Sequence, residues 1–250
     1  MTEKEKSFEI IELCLLAGKV MLQNGAETYR VEDTMTRIAA SFGIHQSHSY
    51  VTPTGIIFSI DGMEPTKFVR ILERTIDLYK VTKVNSISRG ISSGEISLAE
   101  AIKRLKEVEA GGFAFPIWIQ ILAASIASGC FLIMFQGDWT DFIPACLAGG
   151  GGFSCFLFFN RLIEIKFFAE FSAALVIGII AFVLVLIGIG HELDKIIIGS
   201  VMPLVPGLLI TNAVRDLMAG HLVSGISKGA EAFLTAFAIG AGIAFVLLLF

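Results

Sequence analysis

The sequence predicts an N-terminal soluble α+β domain followed by an all-α membrane domain of about five transmembrane helices. Three observations carry that prediction. Mean hydropathy is +0.76, and hydrophobic residues make up 54% of the 250 positions. Charged residues fall to 17%, below the roughly 25% of ordinary soluble proteins. The charge is also unevenly placed. Of 19 Lys and Arg, only Arg161, Lys166, Lys195, Arg215 and Lys228 follow residue 112, and only eight of the 23 Asp and Glu do. Residues 1–112 therefore read as a cytoplasmic α+β domain and residues 113–250 as a helical membrane domain.

The front part reads as follows. Ile10, Ile11, Leu13, Cys14, Ala17, Val20 and Met21 carry an apolar helical stripe, which Asn24-Gly25 ends. A second helix is expected from about Ala26 to Phe42, with Val31, Met35, Ile38 and Phe42 on one face. Three short strands follow at Ser47–Thr52, Gly55–Ile60 and Lys67–Leu72, the last two separated by Asp61-Gly62 and Pro65 turn chemistry. Helices over Thr75–Ile91 and Ser97–Ala110 close the domain, the latter opened by a Ser97/Glu100 capping box. Gly111-Gly112 is the hinge into the apolar half.

Five apolar runs come next, at about 113–135, 142–159, 167–190, 196–214 and 230–250. Most approach the ~20 residues that cross a bilayer core. Segment 136–141 has no Lys or Arg and 191–195 has one Lys among acids, whereas 160–166 holds Arg161 and Lys166 and 215–228 holds Arg215 and Lys228. That alternation places the N-terminus in the cytoplasm and the C-terminus outside a cell membrane. The charged Met1–Phe8, with no apolar run close behind it, is unlike a secretory signal. The Gly149–Gly152 run in the second span fits close helix packing better than a substrate path.

Several functions are disfavoured at this level. A net charge of −4 gives no footprint for nucleic acid. The four cysteines are scattered without metal-ligand spacing, so neither a metal nor a cofactor is expected.

An ionisable group inside a membrane is costly and usually has a partner or a task, which draws attention to Glu170, Arg215, Asp216 and Glu231. Glu170 reads most simply as a span-end residue. The fourth run contains Pro203, Pro206 and Gly207, and such residues favour a broken helix. Asn212, Arg215 and Asp216 follow within the next turns. Transporters aim the ends of such helices at a substrate, so these residues and Glu231 form the candidate substrate and proton pathway. A second candidate is a polar patch of the front domain, with Glu27, Arg30 and Asp33 ion-paired to Asp77 or Arg89 and Asn85 alongside. A solvated face is the simpler reading of that patch.

The stretches GKVMLQNGAETYRVEDTM (18–35), TPTGI (52–56), DLYKVTKVNSISRGI (77–91) and PLVPGLLITNAVRDLMAGHLVSGISKGAEAF (203–233) resemble the threonine/serine exporter family over most of the chain. The resemblance implies proton-driven export of a small polar metabolite, either threonine and serine or a dicarboxylate such as succinate. Single-chain members carry a further, smaller membrane domain. The length here resembles the larger half of the family's two-component branch, which implies a small multi-span membrane partner resembling YjjB. On this reading Arg215, or the helix end after Pro206-Gly207, receives a substrate carboxylate. Asp216 or Glu231 then carries the proton, since apolar surroundings favour the protonated form of a carboxylate. Membrane lipid is the other expected contact, and small-residue faces such as Gly240-Ala241-Gly242 leave room for a homo-oligomer. The alternatives are a membrane-anchored enzyme with its active site in residues 1–112, and a structural or regulatory transporter subunit. Neither a nucleophile–base pair nor a metal spacing supports the enzyme.

Overall fold

The structure is a computed structural model, and it describes residues 3–61, 66–112, 115–162, 165 and 167–249. The turn residues Gly62 and Pro65, the loop cation Lys166, the Phe113 start of the first span and the Phe250 end of the last lie outside the described residues. The chain is mostly helical and forms two compact units, Met1–Ala114 with Leu208–Gly229, and Phe115–Gly207 with Ala230–Phe250. Hydropathy alone groups residues 208–229 with the apolar half, whereas packing draws them to the N-terminal elements.

In the first unit, α1 (Glu3–Gln23) and α2 (Thr28–Ser41) pack on a three-stranded antiparallel sheet of β1 (Ser47–Thr52), β2 (Gly55–Ile60) and β3 (Lys67–Arg70). The register Ser47↔Ile60 through Thr52↔Gly55 turns Val51, Ile56 and Phe58 inward together, because side chains alternate along a strand. They meet Leu13, Met21, Met35 and Ile38 in one core. Cys14 lies in that core, where burial pushes its thiol up to about 12, the mark of an unreactive thiol.

Strand β3 ends at Arg70 rather than at the expected Leu72, and the start of the third helix moves as well. Helix α3 runs Leu78–Ser92, because Asp77 is its N-cap and accepts from the backbone N–H of Tyr79 and Lys80. Thr75 is then free to donate its N–H to Gln23 O at 2.7 Å. Helix α4 (Leu98–Ala110) opens as expected on Ser97, which accepts from Glu100 N. The Glu100 carboxylate turns outward to Arg104.

The remaining elements of this unit are α9 (Gly207–Met218) and the start of α10 (Leu222–Leu249). Helix α9 stops in a Schellman motif. Gly220 takes φ +87°, its N–H bonds Leu217 O, and the His221 N–H bonds Asp216 O. The last helix therefore begins at Leu222 rather than near residue 230.

The second unit packs α5 (Ile117–Met134), α6 (Phe142–Leu162), α7 (Phe168–Leu186) and α8 (Leu193–Val201). Its core sets Ala145, Ala148, Ala173, Ala174 and Ala181 among larger side chains such as Leu132, Ile177 and Ile196. Large side chains such as Leu122, Ile143, Leu186 and Phe237 face outward. Helices that associate in lipid show this arrangement, since close backbone approach replaces the hydrophobic drive. Glu170 sits in the first turn of α7. Asp141, fully buried, accepts from the backbone N–H of His191 at 2.7 Å and of Glu192 at 2.9 Å, capping α8 from a distant segment.

Four helices are long and apolar enough to cross a membrane, and α8 with α9 makes a fifth if that bent pair is one span. The expected fourth span is thus broken. After α8 the chain makes a short 3-10 turn at Met202–Leu204, then an extended Val205 (φ −64°, ψ 129°), before α9 begins at Gly207.

Candidate functional site

The first unit holds a polar site built from the turn between α1 and α2 and from the helical hairpin α9–α10. Helix α1 also ends in a Schellman motif. Gly25 takes φ +90° and donates to Leu22 O, while the Ala26 N–H reaches Met21 O. This reversal delivers Glu27 as the N-cap of α2, with its side chain making no cap bond.

The missing cap comes from elsewhere. Asp216 Oδ1 accepts the Thr28 backbone N–H at 2.9 Å, and Oδ2 accepts the Thr28 hydroxyl at 2.8 Å. A carboxylate at the positive end of a helix is stabilising. Lys228 on α10 completes the cluster. Its Nζ donates to Asp216 Oδ2 at 2.7 Å, to Thr28 Oγ1 at 3.3 Å and to Ala26 O at 3.5 Å. The two side chains are 0% and 5% exposed, so this is a buried pair with its donors and acceptors engaged. Nearby, Asn212 Nδ2 donates to Gly25 O at 2.9 Å and Ser224 Oγ to Val51 O at 3.1 Å.

Beside this pin lies an open cleft of about 280 Å³, lined among others by Glu27, Arg30, Asn85, Asn212 and Arg215. Arg215 donates to Glu27 Oε1 at 2.5 Å, and Arg30 Nε lies 3.2 Å from Glu27 Oε2. The cleft thus holds two guanidiniums around one carboxylate. The arginine side chains are 52% and 41% exposed, whereas the Glu27 side chain they share is 9% exposed, so solvent reaches the cations far more than the anion. The arginines can open to a competing carboxylate, which the buried Asp216–Lys228 pair cannot do cheaply. The Asn85 side chain makes no hydrogen bond among the described residues and lines the cleft.

The structure thus joins members of the two candidate sets. Glu27, Arg30 and Asn85 of the front patch share one cleft with Asn212 and Arg215 of the pathway set. Asp33 pairs with Arg37 instead, Asp77 caps α3, and Arg89 is exposed with no ion pair among the described residues. The expected pairing to Asp77 or Arg89 fails because Asp77 lies outside the helix and Arg215 supplies the cation. Adjacent Arg215 and Asp216 point apart, one to Glu27 and the other to Lys228. Pro203 lies in the 3-10 turn, Pro206 and Gly207 lie at the break, and Glu231 is half-buried on α10 in the second unit. Among the described residues no group of three His, Cys, Asp or Glu could hold a metal.

Sequence reasoning missed Thr28 and Lys228. A signal for Lys228 existed, since Leu222, Ile226, Phe233 and Phe237 recur at helical spacing and form an exposed apolar face on α10. That pattern carries the helix back across Lys228, two positions off the face.

Glu32 adds a pH-dependent element. Burial raises its pKa, opposed by the Val51 N–H at 2.9 Å and by the His221 ring, while the Asp216 charge adds to the rise. Because the folded-state value exceeds the ordinary 4.5, the contribution is present below that pH and is lost as pH rises through the folded value. Glu32→Gln, which keeps an acceptor for Val51, is therefore expected to gain on the parent between pH 4.5 and neutrality. Thermal melts at both pH values check this, and an identical difference at the two would contradict it.

Comparison with known proteins identifies relatives over most of the chain. The family model described as "Putative threonine/serine exporter" matches residues 12–250. A "Probable succinate transporter subunit YjjP" of Klebsiella aerogenes is 24% identical over 96% of this chain and 94% of its own length. The protein of that name from Escherichia coli K12 is 24% identical over 97% and 94%. A "Probable threonine/serine exporter" of Mycobacterium tuberculosis is 22% identical over 91% of this chain, but only 44% of its own length is covered. These relatives are named as transporters, not enzymes. No solved structure matches.

Proposed function

We propose that this chain, which belongs to the threonine/serine exporter family, is the larger subunit of a secondary exporter in the cell membrane. In this reading the cleft at Arg30 and Arg215 takes up the carboxylate of a small polar metabolite from the cytoplasm. The observation that carries it is the convergence of Glu27, Arg30, Asn85, Asn212 and Arg215 on one open cleft. Arginine suits the task because its planar fork matches a carboxylate. Succinate, threonine and serine, the substrates in the relatives' names, all offer one.

The topology supports entry from inside. Residues 208–229 fold into one compact unit with 1–114, which supports placing both parts on the same side of a membrane. We place residues 1–112 in the cytoplasm, residues 113–250 in and at the membrane, and the C-terminus outside. The other pathway candidates are Pro206-Gly207 at the break before α9 and Pro203 in the turn preceding it. Of the two carboxylates considered for the coupling proton, Glu231 is favoured. Asp216 is engaged by three donors and pins segments together, whereas Glu231 is the one Asp, Glu, Lys or Arg in residues 230–250. The relatives' designation as a subunit supports a partner, for which a small multi-span membrane protein is the candidate.

The test is efflux from cells loaded with serine, threonine or succinate, comparing this chain alone, the small membrane protein alone, and both. Efflux with both is expected. Arg215→Gln should lower it by about tenfold or more, the loss of one charge-assisted contact. Glu231→Gln should abolish its dependence on external pH. Normal efflux from membrane-resident Arg215→Gln protein would remove the cleft from the pathway.

A further inference from the structure

Resting on that reading of the cleft, we infer that Glu27 is its specificity-determining residue. It receives the ammonium group of a zwitterionic α-amino acid whose carboxylate lies on Arg215, and it excludes dicarboxylates. The argument starts from a duty that Glu27 does not perform. It occupies the N-cap of α2, yet its side chain makes no cap bond, and Asp216 accepts the Thr28 N–H in its place. The Glu27 carboxylate is therefore not consumed by the helix end. It is 7% exposed and lines the cleft, held between Arg215 at 2.5 Å and Arg30 at 3.2 Å.

Charge balance then separates the two ligand classes. The side chains lining the cleft supply two cations and one anion. An amino-acid zwitterion adds one of each sign, and its carboxylate takes Arg215 while its ammonium takes the Glu27 oxygen that Arg215 releases. Arg30 keeps the other Glu27 oxygen, so every charge ends beside an opposite one. A dicarboxylate brings a second and a third negative charge to the same two guanidiniums, and Glu27 already occupies the place its second carboxylate needs. Like charges set side by side in a partly desolvated site are strongly disfavoured. Asn85 remains as the group available to a polar side chain of the ligand.

The experiment is ligand binding to the purified full chain in nanodiscs, with L-threonine, 3-hydroxybutyrate and succinate as probes. The parent protein should bind threonine about tenfold or more tightly than 3-hydroxybutyrate, which differs only in lacking the ammonium, and more tightly than succinate. Glu27→Gln, of the same size and shape, should weaken threonine about tenfold or more, leave 3-hydroxybutyrate within a few-fold, and strengthen succinate. Glu27→Asp should keep the order of preference. Equal affinity of the parent for threonine and 3-hydroxybutyrate overturns the inference without any variant. A loss of all three ligands in Arg215→Gln combined with an unchanged preference in Glu27→Gln overturns the selector and leaves the cleft standing. Binding unaffected by Arg215→Gln, or no binding of any probe to the parent, overturns both.

Discussion

Replacing Lys228 by Met is expected to destabilise the protein by about 3–5 kcal/mol, the usual cost of leaving one member of a buried ion pair uncompensated. Methionine matches the length of the lysine stem, so packing is nearly preserved and the loss is electrostatic. Asp216, fully buried, would keep its hydrogen bonds from Thr28 but lose the only ammonium within reach among the described residues. The Ala26 carbonyl would lose a donor as well. The double variant Asp216→Asn/Lys228→Met separates this account from a packing effect. Asn still accepts the Thr28 N–H, and no buried charge remains. It should therefore melt above Lys228→Met, with a coupling on the order of 1.5 kcal/mol or more. Melting of the purified protein in detergent measures both, and a double variant less stable than either single one would contradict the pairing. Arg215 provides the contrast, because its side chain is 52% exposed and its loss should register in transport before it registers in stability.

The second large effect is expected in α6. A Cβ at Gly149 would fall onto Ser128 of α5 and lie 3.4 Å from Ser200 O, and one at Gly152 would fall onto Ile177 and lie 3.2 Å from Ala173 O. Both clashes involve atoms that cannot simply rotate away, since the Ser128 Cβ itself and a backbone carbonyl of α7 are among them. Gly149→Ala and Gly152→Ala should each cost about 1–3 kcal/mol, and valine more. Gly240 on α10 is the control, with nothing within 4 Å of an added Cβ. Ala there should be neutral or slightly stabilising, because Gly is a poor helix former. Membrane levels and melting temperatures of the three variants check the order. Equal behaviour of Gly149→Ala and Gly240→Ala would mean that α5 and α6 are not in contact at that glycine. The glycine run is thereby accounted for by packing.

The fold was legible wherever local pattern decides structure. Strands β1 and β2 fall on the expected residues because alternation and the Pro53-Thr54 turn act over a few positions. Spans α5, α6 and α7 are recognisable because apolar runs of such length have few other uses. The boundaries that moved did so for reasons of hydrogen bonding. Asp77 looks like a helix-face residue until its side chain is seen to accept the Tyr79 and Lys80 N–H groups. Lys228 looks like a loop cation until Asp216 makes its burial affordable.

By itself, then, the sequence determined that this chain is a mostly helical membrane protein with a small sheet near its start and a helix break at Pro206, and it placed Glu27, Arg30, Asn212 and Arg215 among the candidate residues. Those properties follow from hydropathy, turn chemistry and the cost of charge in apolar surroundings, all of which are local. Only the tertiary structure decided who meets whom. Thr28 and Asp216 are 188 positions apart, as are Glu27 and Arg215, and no periodicity connects such pairs. An ion pair across the fold forms because a helix N-terminus left without its own cap, a buried ammonium and a carboxylate together lower one another's desolvation cost. That balance exists only once the α1–α2 turn and the α9–α10 hairpin have been brought together.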